Sequence, residues 1–306
     1  MSAVNDTELQ PAVFFLTGIP GLEDAHAWIS IPICLVYLIS ILGNSLILFI
    51  IKTDPSLHEP MHIFLSMLAV TDLGLSISTM PTTLGVFWFN FREISHDACF
   101  AHSLSFTESS VLSSMAFDRF VAICNPLRYA SILSPHRIAM MGLMSLLRGV
   151  VLIFPLPILL KQYQYCQTNI LTHSYCLHQE VMKMSCSDFR VNIIYGFFIT
   201  VFSVGFDLLF ILLSYAMILK TVLSIASHTE RLKALNTCVC HVCLVLFFYI
   251  PIIGLSVIHR FVKISSPLVY IVIGNVYVLI PPLMNPIVYS MKSKSIHERI
   301  IKVFIK

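Results

Sequence analysis

Charged residues inside or beside long apolar stretches are the most informative feature of this sequence. Asp72 lies in the middle of one such stretch, where a carboxylate is costly unless it finds hydrogen-bond partners or a sodium ion with water. Arg260 ends another stretch, one helical turn after Ser256, so both side chains project to one face. A guanidinium there can bind a carboxylate in bidentate geometry or extend to lipid headgroups. These residues predict a buried polar network, with or without an ion, and a candidate site for an acidic ligand.

Asp118 and Arg119, followed by Phe120, close a third apolar stretch. A permanently charged guanidinium can stay partly hydrated at the end of a membrane span, or it can pair with the neighbouring carboxylate. From the residues alone, the pair is interpreted as a basic anchor at the membrane surface.

The elements that position these residues are predicted to be membrane spans. Of 306 residues, 57% are hydrophobic and only 11% are charged, against roughly 25% charged in a soluble domain. This composition excludes a soluble globular enzyme as well as disordered and collagen-like chains. The net charge of +3 provides no basic field for nucleic acid. We therefore expect the chain to lie in a lipid bilayer.

Seven apolar stretches are long enough to cross a bilayer, which predicts an all-α membrane protein with a seven-helix bundle. An odd number of spans places the termini on opposite sides. The side of the C-terminus holds 12 Lys and Arg and the other side holds 6, so the N-terminus is predicted outside and the C-terminus inside. The predicted spans are 28–51, 57–82, 99–123, 138–160, 191–224, 231–258 and 267–291.

The sequence predicts one membrane domain with a tail at each end. Residues 1–27 form the predicted extracellular tail, in which Asn5 begins a glycosylation sequon. Residues 28–291 form the membrane domain. Residues 292–306 are basic with isoleucines at helical spacing, which predicts a short amphipathic helix on the inner leaflet.

Nine cysteines divide by location. Four face the oxidising outside, so two disulfides are expected, and the number of cysteines allows three pairings. The other five are predicted to be free thiols. Three of these surround His241, but a helix spreads such ligands around its circumference, so packing is favoured over a metal site. A metal at the loop histidines beside Cys176 is a similarly weak hypothesis. The four outer cysteines are Cys99, Cys166, Cys176 and Cys186.

Several short motifs are spread over almost the whole chain. They are Gly43-Asn44, PMHIFL at 60–65, LAVTDL at 68–73, MAFDRFVAICNPLRY at 115–129, Ser214-Tyr215, KALNTC at 233–238 and PLMNPIVYS at 282–290. Together they resemble the motifs of odorant receptors, which belong to the rhodopsin-like G-protein-coupled receptors. The long loop at 161–190 and the segment Gly254 to Phe261 resemble the class I, or fish-like, branch with families 51 and 52.

The resemblance implies a plasma-membrane receptor for a small odorant, which couples to the stimulatory olfactory G protein and raises cAMP, with no cofactor. It implies that Arg119, beside Asp118, helps hold the inactive state and then engages the G protein. Tyr215 and Tyr289 would pack on Arg119 in the active state. Phe120 stands where the family usually has Tyr, so one hydroxyl is missing.

The resemblance also implies a ligand site for short acids at Arg260 and Ser256, beneath a loop that contributes Gln179 and His178. The implied disulfides join Cys99 to Cys176 and Cys166 to Cys186. The polar network implied by the resemblance comprises Asn44, Asp72 and Asn285.

The third span departs from the family pattern. Twenty residues separate Cys99 from Arg119 where the family has about 25, and at ~1.5 Å and ~100° per residue the loss shortens the helix by about 7.5 Å and rotates one end by roughly 140°. The missing stretch falls between Leu104 and Glu108. An alternative prediction is therefore a receptor variant that folds poorly or does not signal. Ser109 and Ser110 join Glu108 as candidate pocket or core residues.

Three other classes of function are available to a membrane protein. A transporter or channel is disfavoured because the sequence has no two-fold repeat and no pair of broken helices. An intramembrane enzyme is disfavoured because no metalloprotease or nucleophile-elbow motif occurs, and Asp72 and Asp207 have no evident catalytic partner. A receptor for an endogenous metabolite, expressed outside the nose, stays open.

Overall fold

Seven long helices form a bundle in the part of the chain that the computed structural model describes, which confirms the predicted fold class. The described residues are 13–19, 21, 25–89, 93–95, 105–161, 170–171, 181–182, 185, 188, 190–261 and 267–304. The helices are α1 His26–Thr53, α2 Pro60–Trp88, α3 Ser105–Cys124, α4 Pro135–Ile153, α5 Arg190–Ser224, α6 His228–Phe261 and α7 Pro267–Lys292, followed by the tail helix α8 Lys294–Phe304.

The outer surface of the bundle is apolar and its interior holds polar groups. Leu42, Leu147 and Ile250 are exposed on different helices, whereas Ser40 and Ser76 are buried and hydrogen-bond each other between α1 and α2. Within the described residues, six helices are long and apolar enough to cross a membrane. This distribution of side chains suits a protein whose surrounding solvent is hydrocarbon.

Helix α3 lies at the centre of the bundle and is more polar than the other six. It contacts α2, α4, α5 and α6. Glu108 and Asp118 on α3 are both buried, as are Met115 and Ala116. Because neighbouring helices enclose α3, it can carry charged residues at membrane depth without exposing them to lipid.

The predicted spans 57–82 and 138–160 differ from the observed helices α2 and α4, for local reasons. Helix α2 starts at Pro60, because Pro55–Leu57 forms a 3₁₀ turn first, and it continues to Trp88 rather than ending at residue 82. Helix α4 ends at Ile153, and a separate short helix covers Pro155–Lys161. Proline removes a backbone donor and clashes with the preceding turn, so it begins a new helix more readily than it continues one.

A small sheet lies at the outer end of the bundle. In the described segments, β1 (Val13–Leu16) pairs antiparallel with β2 (Glu93–Ser95) and parallel with β3 (Ile170–Leu171). Thr17 adds backbone and side-chain hydrogen bonds to the Leu171 carbonyl. Part of the predicted N-terminal tail is thus a strand. Strands of two to four residues are too short to show a clear hydrophobic periodicity in a sequence.

The tail helix α8 is held at the inner end of the bundle. Arg299 on α8 lies 2.5 Å from Asp54, which ends α1, and Ile296 is fully buried. Hydrogen bonds from the Ser56 hydroxyl and backbone N–H, with the nearby Arg299 charge, lower the pKa of Asp54 below its usual value. Asp54 therefore stays ionised at neutral pH and keeps its pairing with α8.

Candidate functional site

Asp118 and Arg119 form a closed ion pair at the inner end of α3. The Arg119 Nε and Nη2 atoms donate to Asp118 Oδ2 at 2.9 and 2.6 Å. The Tyr129 hydroxyl, from the short helix Tyr129–Ile132, donates to Asp118 Oδ1 at 2.8 Å. Burial and the neighbouring Asp118 charge raise the pKa of Tyr129, so this hydroxyl remains a donor. Both carboxylate oxygens are occupied, and Arg119 is held by its own neighbour.

Phe120 lies in an apolar cluster where the family usually has a tyrosine. It packs with Ile218 and Val222 of α5 and with Cys238 of α6. Its ring also lies 6.3 Å from the ring of Phe117. The missing hydroxyl therefore leaves an apolar contact between three helices intact.

Tyr215 is joined to α6 rather than to Arg119. Its hydroxyl lies 2.8 Å from His241 Nδ1, and His241 Nε2 lies 3.0 Å from the Leu112 carbonyl of α3. Because a carbonyl only accepts, the proton sits on Nε2 and Nδ1 accepts from Tyr215. His241 therefore links α3, α5 and α6, and both its nitrogens are engaged by protein groups instead of a metal.

Tyr289 places a hydroxyl in the interior without a partner. The residue is buried, and its oxygen has no hydrogen bond within the described residues. An unsatisfied buried hydroxyl costs roughly 1–3 kcal/mol, which favours any rearrangement that supplies a partner.

Asp72 is fully buried between α2, α3 and α7. The Asn285 side chain donates to its Oδ2 at 2.8 Å, as predicted. Asn44 instead donates to the backbone carbonyls of Ser40 and Pro282, at 2.9 and 3.0 Å. It fixes α1 to α7 and does not bind Asp72.

The second carboxyl at this site is Glu108, which the sequence placed only among pocket or core residues. Its side chain lies beside that of Asp72, and both groups are buried. One oxygen of each, Asp72 Oδ1 and Glu108 Oε1, has no partner within the described residues. Two bare carboxylates cannot share such a site, so the pair holds a proton or a cation between them. The two alternatives are a hydrogen-bonded knot and a hard cation bound by oxygen ligands.

Gly43 allows α1 and α7 to approach closely beside this network. A Cβ atom at this position would lie 2.8 Å from Pro286 Cβ, closer than side-chain atoms pack. The Gly43-Asn44 motif therefore combines a close helix contact with the hydrogen bond to Pro282.

A second polar network, between α3, α4 and α5, was not predicted. Arg148 Nη1 donates to Asp207 Oδ1 at 2.7 Å, and Nη2 donates to the Ser203 carbonyl at 3.0 Å, within the π-helical segment Thr200–Gly205. The Ser109 hydroxyl donates to Asp207 Oδ2 at 2.8 Å and accepts from the Tyr249 hydroxyl, also at 2.8 Å. The ion pair is thus connected to α6.

The predicted ligand and disulfide residues lie mostly outside the described part of the chain. Ser256 is half-buried on α6. Arg260 lies one turn later on the same helix, and its side chain is not described. The remaining predicted residues outside the described ones are Asn5, Cys99, Cys166, Cys176, His178, Gln179 and Cys186. Among the described residues, no disulfide is formed by Cys34, Cys124, Cys238, Cys240 or Cys243.

The arrangement of the helices is that of the rhodopsin-like seven-helix receptors. The crystal structure of squid rhodopsin superposes with a TM-score of 0.76, covering 94% of this chain and 87% of that one at 16% identity. This likeness establishes the fold.

The sequence model of the olfactory receptor family matches residues 33–306, and the chain belongs to that family. Human olfactory receptor 51G2 is 62% identical over 305 residues, covering 98% of this chain and 97% of the relative. Human olfactory receptor 51G1 is 58% identical over 309 residues, with 99% and 96% covered. The chain is therefore a multi-pass plasma-membrane receptor for odorants that acts through a G protein, and it is not an enzyme. The predicted resemblance to family 51 is confirmed.

Proposed function

We propose that this receptor detects small carboxylic acids and couples to the stimulatory olfactory G protein, raising cAMP. The observation that carries the ligand class is the continuous helix α6, which places Arg260 one turn after Ser256. Residues at this spacing share a helix face, so Arg260 and Ser256 lie on one side of α6. Gln179 and His178 complete the proposed site from the loop above it.

The proposed activation is a shift between two populated states. In the state described here, Asp118 holds Arg119 and His241 holds Tyr215. Outward movement of the inner end of α6 would break the Tyr215 to His241 hydrogen bond. Tyr215 would then pack on Arg119, and Tyr289 would gain the partner it lacks. An odorant drives this change only as far as it binds the second state more tightly.

Three further features belong to the proposal. Disulfides between Cys99 and Cys176 and between Cys166 and Cys186 would tie the long loop to α3 and close it on itself. Glycosylation at Asn5 would mark the outer face. A cation between Asp72 and Glu108 would stabilise the inactive state, because it holds α2 and α3 in their present positions.

The acid site is tested by replacing Arg260 with Ala. We expect the half-maximal concentration of short and medium carboxylic acids to rise about 10- to 100-fold, since a charge-assisted hydrogen bond is worth about 1.5–3 kcal/mol. The measurement is a cAMP reporter in cells that express the receptor. Lys263→Ala, which removes another cation of the same segment, is the matched control. Equal acid responses of Arg260→Ala and the unaltered receptor would remove the acid anchor from the proposal.

The coupling is tested by replacing Arg119 with Ala. We expect loss of the acid-evoked cAMP response per receptor at the cell surface, because Arg119 is the group proposed to engage the G protein. Arg128→Ala, in the exposed turn Pro126–Arg128, removes a nearby cation and should leave the response intact. Reporters run with and without the olfactory G protein identify the subtype. An ionic current that persists without any G protein would instead favour a channel.

A further inference from the structure

A groove of about 430 Å³ lies between α3, α4 and α5, away from the proposed acid site. Its walls include Phe117, Met144 and Phe210, and its floor is formed by Arg148 and Asp207. Met144 is 56% exposed and Phe210 is 36% exposed at the outer surface of the bundle. The groove therefore opens sideways toward the lipid.

The floor of this groove can donate hydrogen bonds without carrying net charge. The Arg148 charge is balanced by Asp207, and three of its five N–H donors go to Ser110, Asp207 and Ser203. The Arg148 side chain is still 28% exposed. The Ser113 hydroxyl, which also lines the groove, makes no hydrogen bond to any described residue. An occupant with one accepting oxygen fits this floor better than an anion does.

The depth of the floor limits which molecules can reach it. Arg148 lies about 20 Å along α4 from Pro135, at ~1.5 Å per residue, and the hydrocarbon core of a bilayer is about 30 Å thick. A lipid that keeps its polar group at the headgroups cannot place an oxygen at that depth. A small molecule dissolved in the hydrocarbon can do so.

We propose that this groove is a second ligand site, entered from the bilayer, for a small neutral lipophilic molecule with a single hydrogen-bond-accepting oxygen. Ketones, aldehydes and esters of odorant size have this chemistry. The oxygen accepts from Arg148 or Ser113, and the carbon chain lies against Phe117, Met144 and Phe210. This site is independent of the acid site at Arg260, so the experiment on one site can contradict its proposal without affecting the other proposal.

The test is photolabelling of the full-length receptor in membranes. The probe is a medium-chain aliphatic methyl ketone that carries a diazirine, and labelled peptides are identified by mass spectrometry. We expect labels on the α4 and α5 segments around Met144 and Phe210. Met144→Trp should reduce this labelling about tenfold, equivalent to about 1.4 kcal/mol, by filling the mouth of the groove. Ser113→Ala, which removes only the free hydroxyl, should reduce it by a smaller factor.

The matched control is Leu147→Trp, since Leu147 is 51% exposed on the same helix and does not line the groove. Surface staining of each variant shows that it folds. Equal labelling of Met144→Trp and the unaltered receptor would overturn the proposal. A fatty-acid probe or a sterol probe that labels these segments more strongly than the ketone would overturn the assigned ligand chemistry.

Discussion

Asp207→Leu is expected to remove most of the receptor from the cell surface. The substitution leaves the Arg148 guanidinium at membrane depth without its counter-charge, and it strips the Ser109 hydroxyl of its acceptor. Breaking a buried pair by removing one partner costs about 3–5 kcal/mol, a large fraction of the stability of a typical domain. The measurement is surface staining of an N-terminal epitope, normalised to total expression.

Two variants show whether the loss comes from the unpaired charge. The double variant Arg148→Met with Asp207→Leu replaces both charges by apolar groups and should regain much of the surface level. Asp188→Asn alters an exposed pair, 3.8 Å from Arg190, and should have almost no effect. If Asp207→Leu reached the surface as well as the unaltered receptor, the ion pair would not stabilise the fold.

The sequence was sufficient to predict the seven helices because each apolar stretch must cross the same thickness of hydrocarbon. The distribution of Lys and Arg similarly fixed which end faces the cytoplasm. The boundaries were less predictable. The break between Ile153 and Pro155 depends on local backbone sterics, which hydropathy does not register.

The partners of the buried charges depend on helix rotation, which one sequence does not define. Asn285 was predicted to meet Asp72 and does so, but Glu108 on α3 also meets it. The sequence did contain a signal for the pairing of Arg148 with Asp207. They are opposite charges in consecutive spans, and charges at membrane depth pair with one another. Their pairing could have been proposed from the sequence, whereas the added bonds to Ser109 and Tyr249 could not.

The predicted shortening of α3 would affect one end of the helix more than the other. At its inner end Asp118 still meets Tyr129, and further out Glu108 still meets Asp72, so the register from Glu108 inward supports both contacts. The predicted shortage would therefore act on the outer end, between α3 and the predicted disulfide at Cys99.

Insertion of five residues after Leu104, taken from a family 51 relative, is expected to raise both the surface level and the acid-evoked cAMP response. At ~100° per residue it restores the rotation between Cys99 and the inner part of α3, and with it the predicted disulfide and ligand pocket. A gain of about tenfold in acid potency corresponds to about 1.4 kcal/mol of better-arranged binding. A three-residue insertion is the matched control, because it leaves the outer end about 200° out of register. If the unaltered receptor gives no response and the receptor with five added residues does respond, the chain is the poorly signalling variant. Strong surface display and signalling by the unaltered chain, unchanged by the insertion, would show that α3 functions at its present length.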